Sequence, residues 1–93
     1  MTTVERRITV EHESGLHARP ASAFVQTASK FDTDITIARA DDGEPVDAAS
    51  SLAVLSLGVE PGEEVVLSAT GSEPEAAVER LVTLIENDFE LDE

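Results

Sequence analysis

Hydrophobic and polar positions along this chain trade places in runs that lay out seven short elements. Between Val4 and His12 the residues alternate after a charged start. Ile8 and Val10 fall on one face and Arg7, Thr9 and Glu11 on the other, which reads as a strand. Ser14-Gly15 breaks it. From Ala18 to Phe31 the apolar residues Ala21, Phe24, Val25 and Ala28 recur at helical spacing, with Phe31 closing the stripe. Alternation returns from Asp34 to Ala40, carried by β-branched Ile35, Thr36 and Ile37. Asp42-Gly43 is a hairpin turn signal, and Glu44 to Ala48 is the length of a short return strand. Ser50 to Leu57 predicts a brief apolar helix, with Ser50 placed to cap its start and Gly58 to end it in the left-handed conformation. Pro61-Gly62 marks a turn, and Glu64 to Thr70 alternates as a strand. Ser72-x-x-Glu75 has the form of a capping box, with Pro74 tolerated in a first turn that needs no amide donor there. It opens a helix whose Val78, Leu81, Val82 and Ile85 share one face. From Glu86 to Glu93 the chain is mostly acidic and is expected to fray.

The order strand, helix, strand, strand, helix, strand, helix predicts an α+β domain. Its helices should cover one face of a mainly antiparallel sheet and leave the other wet. With 93 residues, no repeats and no linker, residues 1–93 read as one domain with one core. That core must be aliphatic, because Trp, Tyr and Cys are absent and Phe24, Phe31 and Phe89 are the only aromatics. Without Cys there is no disulfide, thiolate metal site or thiol nucleophile. The start has no apolar run behind Arg6-Arg7, and no stretch approaches the ~20 apolar residues of a membrane span, so the expectation is a soluble cytoplasmic protein.

Charge narrows the choice of partners. Six basic residues against 20 acidic ones give a net charge of −14, and Lys30 is the only lysine. Such a surface repels nucleic acid and anionic membranes, both of which are bound through cations. A surplus this large over well-patterned apolar positions points to adaptation to high salt, where screening confines self-repulsion to a few ångströms, the alternative being merely an acidic protein of an ordinary cytoplasm.

Only two histidines are available for chemistry. His12 falls near the end of the first strand among charged neighbours and reads as a solvated strand-end residue. His17 lies between the glycine break and a helix start, with Arg19 and Pro20 close behind. The first amides of a helix point outward unpaired, and the macrodipole places partial positive charge there. A phosphoryl group on this imidazole would meet backbone donors such as that of Ala18, and Arg19 can add a charge-assisted contact to phosphate oxygens. Pro20 stiffens the first turn without losing a hydrogen bond, and Gly15 permits the sharp entry that exposes the ring. On these grounds alone His17 is either a phosphate-handling residue or a plain helix cap.

Gly15-Leu16-His17-Ala18-Arg19-Pro20-Ala21 resembles the active-site motif of the HPr family, the histidine-containing phosphocarriers of the phosphoenolpyruvate:sugar phosphotransferase system. The likeness continues through Val25-Gln26-Thr27-Ala28-Ser29-Lys30-Phe31. It resumes in Ser50-Ser51-Leu52-Ala53-Val54-Leu55-Ser56-Leu57-Gly58 and at Pro61-Gly62, and so covers nearly the whole chain. The resemblance implies the HPr-like open-faced β-sandwich, βαββαβα, with three helices over one face of four strands. It implies a carrier, not an enzyme, needing no cofactor or metal. His17 would accept a phosphoryl group on Nδ1 from phosphorylated enzyme I and pass it to a sugar-specific IIA domain, while Arg19 holds the phosphate.

The same resemblance places Ser50 where Gram-positive HPr carries a serine modified by an ATP-dependent kinase. Seen alone, Ser50 is a helix N-cap, and the adjacent Ser51 leaves the register open by one. Leu52 and Leu55 are read as the surface that docks partners, since HPr proteins use apolar side chains of this helix, the alternative being that both are core. Ser51 departs from the aliphatic residue usual in the family. Gln26 and Ser29 offer hydrogen bonds where partners often meet lysines. A carrier exposing one small face to successive partners is expected to be a monomer. The rival readings are a regulatory phosphocarrier, in a nitrogen-linked or dihydroxyacetone-kinase relay, and a non-catalytic interaction domain on the same scaffold.

Overall fold

The computed structural model describes residues 3–41, 43–87 and 89. Its elements are β1 (Thr3–Val10), α1 (Ala18–Ala28), β2 (Asp34–Arg39), β3 (Val46–Asp47), α2 (Ser51–Ser56), β4 (Glu63–Thr70) and α3 (Pro74–Glu86). The strands form one sheet in the order β1-β4-β2-β3, with every neighbouring pair antiparallel. The βαββαβα order and the HPr-like α+β architecture are those the sequence implies.

β4 runs down the middle, where alternation is strictest. Val65, Leu67 and Ala69 are fully buried, while Val66, Ser68 and Thr70 stay partly open. Register places Val4, Ile8 and Val10 of β1 beside Ala69, Val65 and Glu63, and Ile35 and Ile37 of β2 beside Ala69 and Leu67. The helices close this face. Phe24 of α1, Val54 of α2 and the stripe Val78, Leu81, Val82 and Ile85 of α3 join the same apolar cluster. Arg6 lies in register with Leu67, on the covered side of an edge strand, and its guanidinium reaches out to pair with Glu79 of α3.

Several local expectations shift for physical reasons. The first helix stops at Ala28, not Phe31. Lys30 and Phe31 donate their amides to Thr27 and Ala28 in a tightened last turn, and Phe31 packs half-buried against the core. The return strand shrinks to Val46–Asp47, since Pro45 has no amide to offer a ladder. Gly43 turns at φ +75°, with its N–H on the Arg39 carbonyl, while Asp42 of the turn signal falls outside the described residues.

The capping box does not form. Pro74 bars the preceding residue from right-handed helix, so Glu73 becomes the N-cap at φ 50° and ψ 54°. Ser72 is thereby displaced by one position, and its carbonyl instead accepts the Thr33 hydroxyl. Glu75 keeps a role as the acidic residue of the first turn, favourable beside the helix dipole. The tail is also not uniformly frayed. Glu86 is the last residue of α3, and Phe89 is buried in the core with its N–H on the Leu84 carbonyl. Residues 88 and 90–93 of the expected tail lie outside the described residues.

Candidate functional site

The connection between β1 and α1 is tied down by the loop that follows α2. The Gly15 amide donates to the His12 carbonyl at 2.8 Å, and the Leu16 amide to the Val59 carbonyl at 3.0 Å. Leu16 and Val59 are both fully buried, so apolar contact backs the hydrogen bond. Gly15 adopts φ +65°, and a β-carbon there would lie 2.4 Å from the Val59 oxygen. Glycine is therefore demanded twice, by conformation and by space.

His17 follows as the N-cap of α1, extended at φ −131° and ψ 164°. Its carbonyl accepts the Ala21 amide at 3.5 Å, but its side chain makes no capping bond. The plain capping role is thus not what the imidazole does. Ala18 turns at φ +52°, a left-handed conformation that costs an L-residue about 1–2 kcal/mol. Among the described residues the amides of Ala18 and Arg19 donate to no acceptor, and Pro20 has none to donate. Two outward amides are left at the positive end of an 11-residue helix. Arg19 is exposed, and its guanidinium makes no ion pair or hydrogen bond among the described residues. Pro20 is buried and fastens the first turn to the core side.

The ring of His17 has two distinct edges. Nε2 lies 3.5 Å from Oε2 of Glu60, while Nδ1 makes no hydrogen bond among the described residues. The side chain as a whole is 37% exposed. Sequence reasoning missed Glu60, because Glu60-Pro61-Gly62 carries only a turn signal. It also missed what holds that turn. Arg39 of β2 donates to the Leu57 and Gly58 carbonyls at 3.2 and 3.1 Å and to Glu63 at 2.7 Å, clamping the end of α2 to the start of β4. Glu63 in turn accepts the Glu60 amide at 2.8 Å.

The other sequence candidates separate cleanly. The Ser50 hydroxyl accepts the Ala53 amide at 3.2 Å as the N-cap of α2, whereas Ser51 is the exposed first residue of that helix. Val54 is the core residue of α2. Leu52 and Leu55 are 79% and 41% exposed and belong to the surface. Gln26 and Ser29 are engaged within α1, on Ser22 and on the Val25 carbonyl. His12 is not merely solvated: its Nδ1 accepts the Ser14 amide at 3.0 Å and its ring meets Phe89 edge-on at 5.8 Å. No group of three or more His, Cys, Asp or Glu side chains among the described residues could hold a metal ion.

The family model described as PTS HPr component phosphorylation site matches residues 4–87. The chain belongs to the HPr family. The phosphocarrier protein HPr of Haloferax volcanii is 52% identical over 82 residues, which span 88% of this chain and 92% of its own length. That of Streptomyces coelicolor is 52% identical over 86 residues, spanning 92% of this chain and 91% of its own. The crystal structure of HPr from Thermoanaerobacter tengcongensis superposes with a TM-score of 0.89 at 44% identity, covering 97% of this chain and 99% of the other. HPr proteins are phosphocarriers of the phosphotransferase system. They carry a phosphoryl group on a histidine, are not themselves catalysts, and interact with enzyme I and IIA. Among the described residues no helix is long and apolar enough to cross a membrane.

Proposed function

We propose that His17 is the phosphoryl acceptor of this chain and that Arg19 holds the transferred group. The observation that carries the assignment is the free Nδ1 of His17 at a helix N-terminus whose outward amides and neighbouring guanidinium are unoccupied among the described residues. The Nδ1 lone pair attacks phosphorus in line as the histidine nitrogen of phosphorylated enzyme I departs. Positioning and charge stabilisation do most of the work in such a step. Arg19 and the Ala18 and Arg19 amides bind the equatorial oxygens, Gly15 allows the loop to seat, and Pro20 stiffens it. A second transfer delivers the group to the histidine of a sugar-specific IIA domain.

The exposed Leu52 and Leu55 are the apolar docking surface for enzyme I and IIA, since Val54 alone already fixes α2 in the core. Ser50 is the candidate for regulatory phosphorylation. A phosphate there would stay at the helix N-terminus that its hydroxyl now caps. Residues 1–93 form a single cytoplasmic domain acting as a monomer, and the net charge of −14 adapts it to high salt. Intact mass and phosphorus NMR after incubation with phosphoenolpyruvate and enzyme I test the central assignment. One acid-labile phosphate is expected, and it must be missing in His17→Ala. A His17→Ala protein that still takes the phosphate would refute it.

A further inference from the structure

The His17 imidazole has a carboxylate neighbour supplied from the far side of the sequence. We propose that Glu60 is a positioning residue for His17, holding the Nε2 edge of the ring so that Nδ1 is the nitrogen presented to phosphorus. The proposal rests on His17 being the phosphoryl acceptor.

Three observations support it. Oε2 of Glu60 lies 3.5 Å from Nε2 of His17, long for a hydrogen bond but within ion-pair range. The backbone of Glu60 is fixed against the loop that carries His17. Val59 accepts the Leu16 amide, and Gly15 packs so closely on Val59 and Glu60 that a β-carbon would collide. The turn itself is held by Glu63, which accepts the Glu60 amide through one oxygen and the Arg39 guanidinium through the other. Arg39, Glu63, Glu60 and His17 therefore form a chain of contacts running from β2 to the ring. The one adjustable link is the exposed carboxylate side chain.

Which ring nitrogen carries the proton in a neutral imidazole is set by the partner of the other. A carboxylate beside Nε2 favours the tautomer with its proton there and leaves the lone pair on Nδ1. It also favours the reaction. As Nδ1 forms its bond to phosphorus, the ring keeps the Nε2 proton and becomes positively charged. Glu60 faces the edge where that charge can be met, while Arg19 and the free amides offset the charge of the phosphoryl group. Glu60 is 67% exposed, so solvent screens the pair and the expected gain is about 1.5- to 5-fold.

Phosphoramidate, a small phosphoryl donor, separates this effect from protein docking. Nδ1 attacks its phosphorus, the P–N bond breaks and ammonia leaves. The rate of phosphorylation is followed by phosphorus NMR in molar KCl for the wild type, Glu60→Ala, Glu60→Gln and Glu75→Gln. The last removes one charge from the first turn of α3. Nitrogen-15 spectra of the His17 ring are recorded alongside. Both Glu60 variants are expected to react about 1.5- to 5-fold more slowly than the wild type, with Glu75→Gln unchanged. The ring spectrum of Glu60→Gln should keep the Nε2–H signature, because the amide oxygen still accepts, and that of Glu60→Ala should move toward a mixed tautomer. Equal rates with unchanged spectra, or a faster Glu60→Ala in which repulsion of the donor dominates, would overturn the proposal. A wild type that takes no phosphate, or takes as much as His17→Ala, would instead bring down the acceptor assignment beneath it.

Discussion

The two histidines flank one short loop, yet they are held in opposite ways. His12, at the end of β1, has its Nδ1 occupied by the Ser14 amide and its ring set against Phe89. Its lone pair is spent on a turn and its surface on the core. His17, at the start of α1, makes no side-chain capping bond and leaves Nδ1 open. The same imidazole is a structural acceptor at one end of the loop and, at the other, the proposed phosphoryl acceptor with Nδ1 unpartnered among the described residues. Chemical type does not separate them. What separates them is whether the nitrogen that could react already has a partner.

The comparison can be broken at the loop that supports His17. Gly15→Ala is expected to destabilise the fold by about 2–5 kcal/mol, from left-handed strain plus collision with the Val59 carbonyl. Gly58 has nearly the same φ, +64°, and open space around it, so Gly58→Ala should cost only about 1–2 kcal/mol. Urea unfolding of both variants checks the difference, and equal losses would mean that the close approach to Val59 has no energetic consequence.

Arg19→Ala sharpens the chemical half of the comparison. A charge-assisted hydrogen bond is worth about 1.5–3 kcal/mol, so transfer from phosphorylated enzyme I should slow about 10- to 160-fold. Thermal stability should hold, because Arg19 has no internal partner among the described residues to lose. Quenched-flow transfer kinetics alongside a melting curve would register both.

His12→Ala tests the structural half. Loss of the Ser14 acceptor and the edge contact with Phe89 should cost about 1–2 kcal/mol, with phosphoryl uptake at the wild-type level. An uptake defect as large as that of Arg19→Ala would erase the distinction between the two rings.

The smallest and most distributed effect concerns salt. Raising KCl from dilute buffer to about 1 M shortens the screening length to about 3 Å and should relieve repulsion among the 20 acidic residues. Each kcal/mol relieved should raise the melting temperature by about 4–8 °C. Identical melting curves at both salts would remove the case for adaptation to high salt.

Much of this molecule was legible before its structure. The apolar stripe of α3 and the strict alternation of β4 follow from periodicities that a short window of sequence displays. Ser50 caps α2 as its position before an apolar run required, and His17 stands at the start of a helix as the Gly15 break implied. The failures were local conflicts or long-range contacts. Ser72 lost its cap to Pro74, whose ring moved the start of the helix by one residue. Leu52 and Leu55 were no failure: the sequence offered them as a surface against the alternative of core, and both are exposed, but hydropathy alone does not separate the two in a helix this short.

By itself, the sequence determined the order of elements, the helix start that presents His17, and the residue types able to handle a phosphoryl group. These depend on backbone preference and on neighbours within a turn or two, which the chain states directly. Only the tertiary structure decided that Glu60 faces Nε2, that Arg39 clamps the turn carrying Glu60, and that Phe89 closes over His12. Those partners are far apart along the chain, and they meet only because strand register and the docking of the loop after α2 on Leu16 bring them together. No local pattern encodes that meeting.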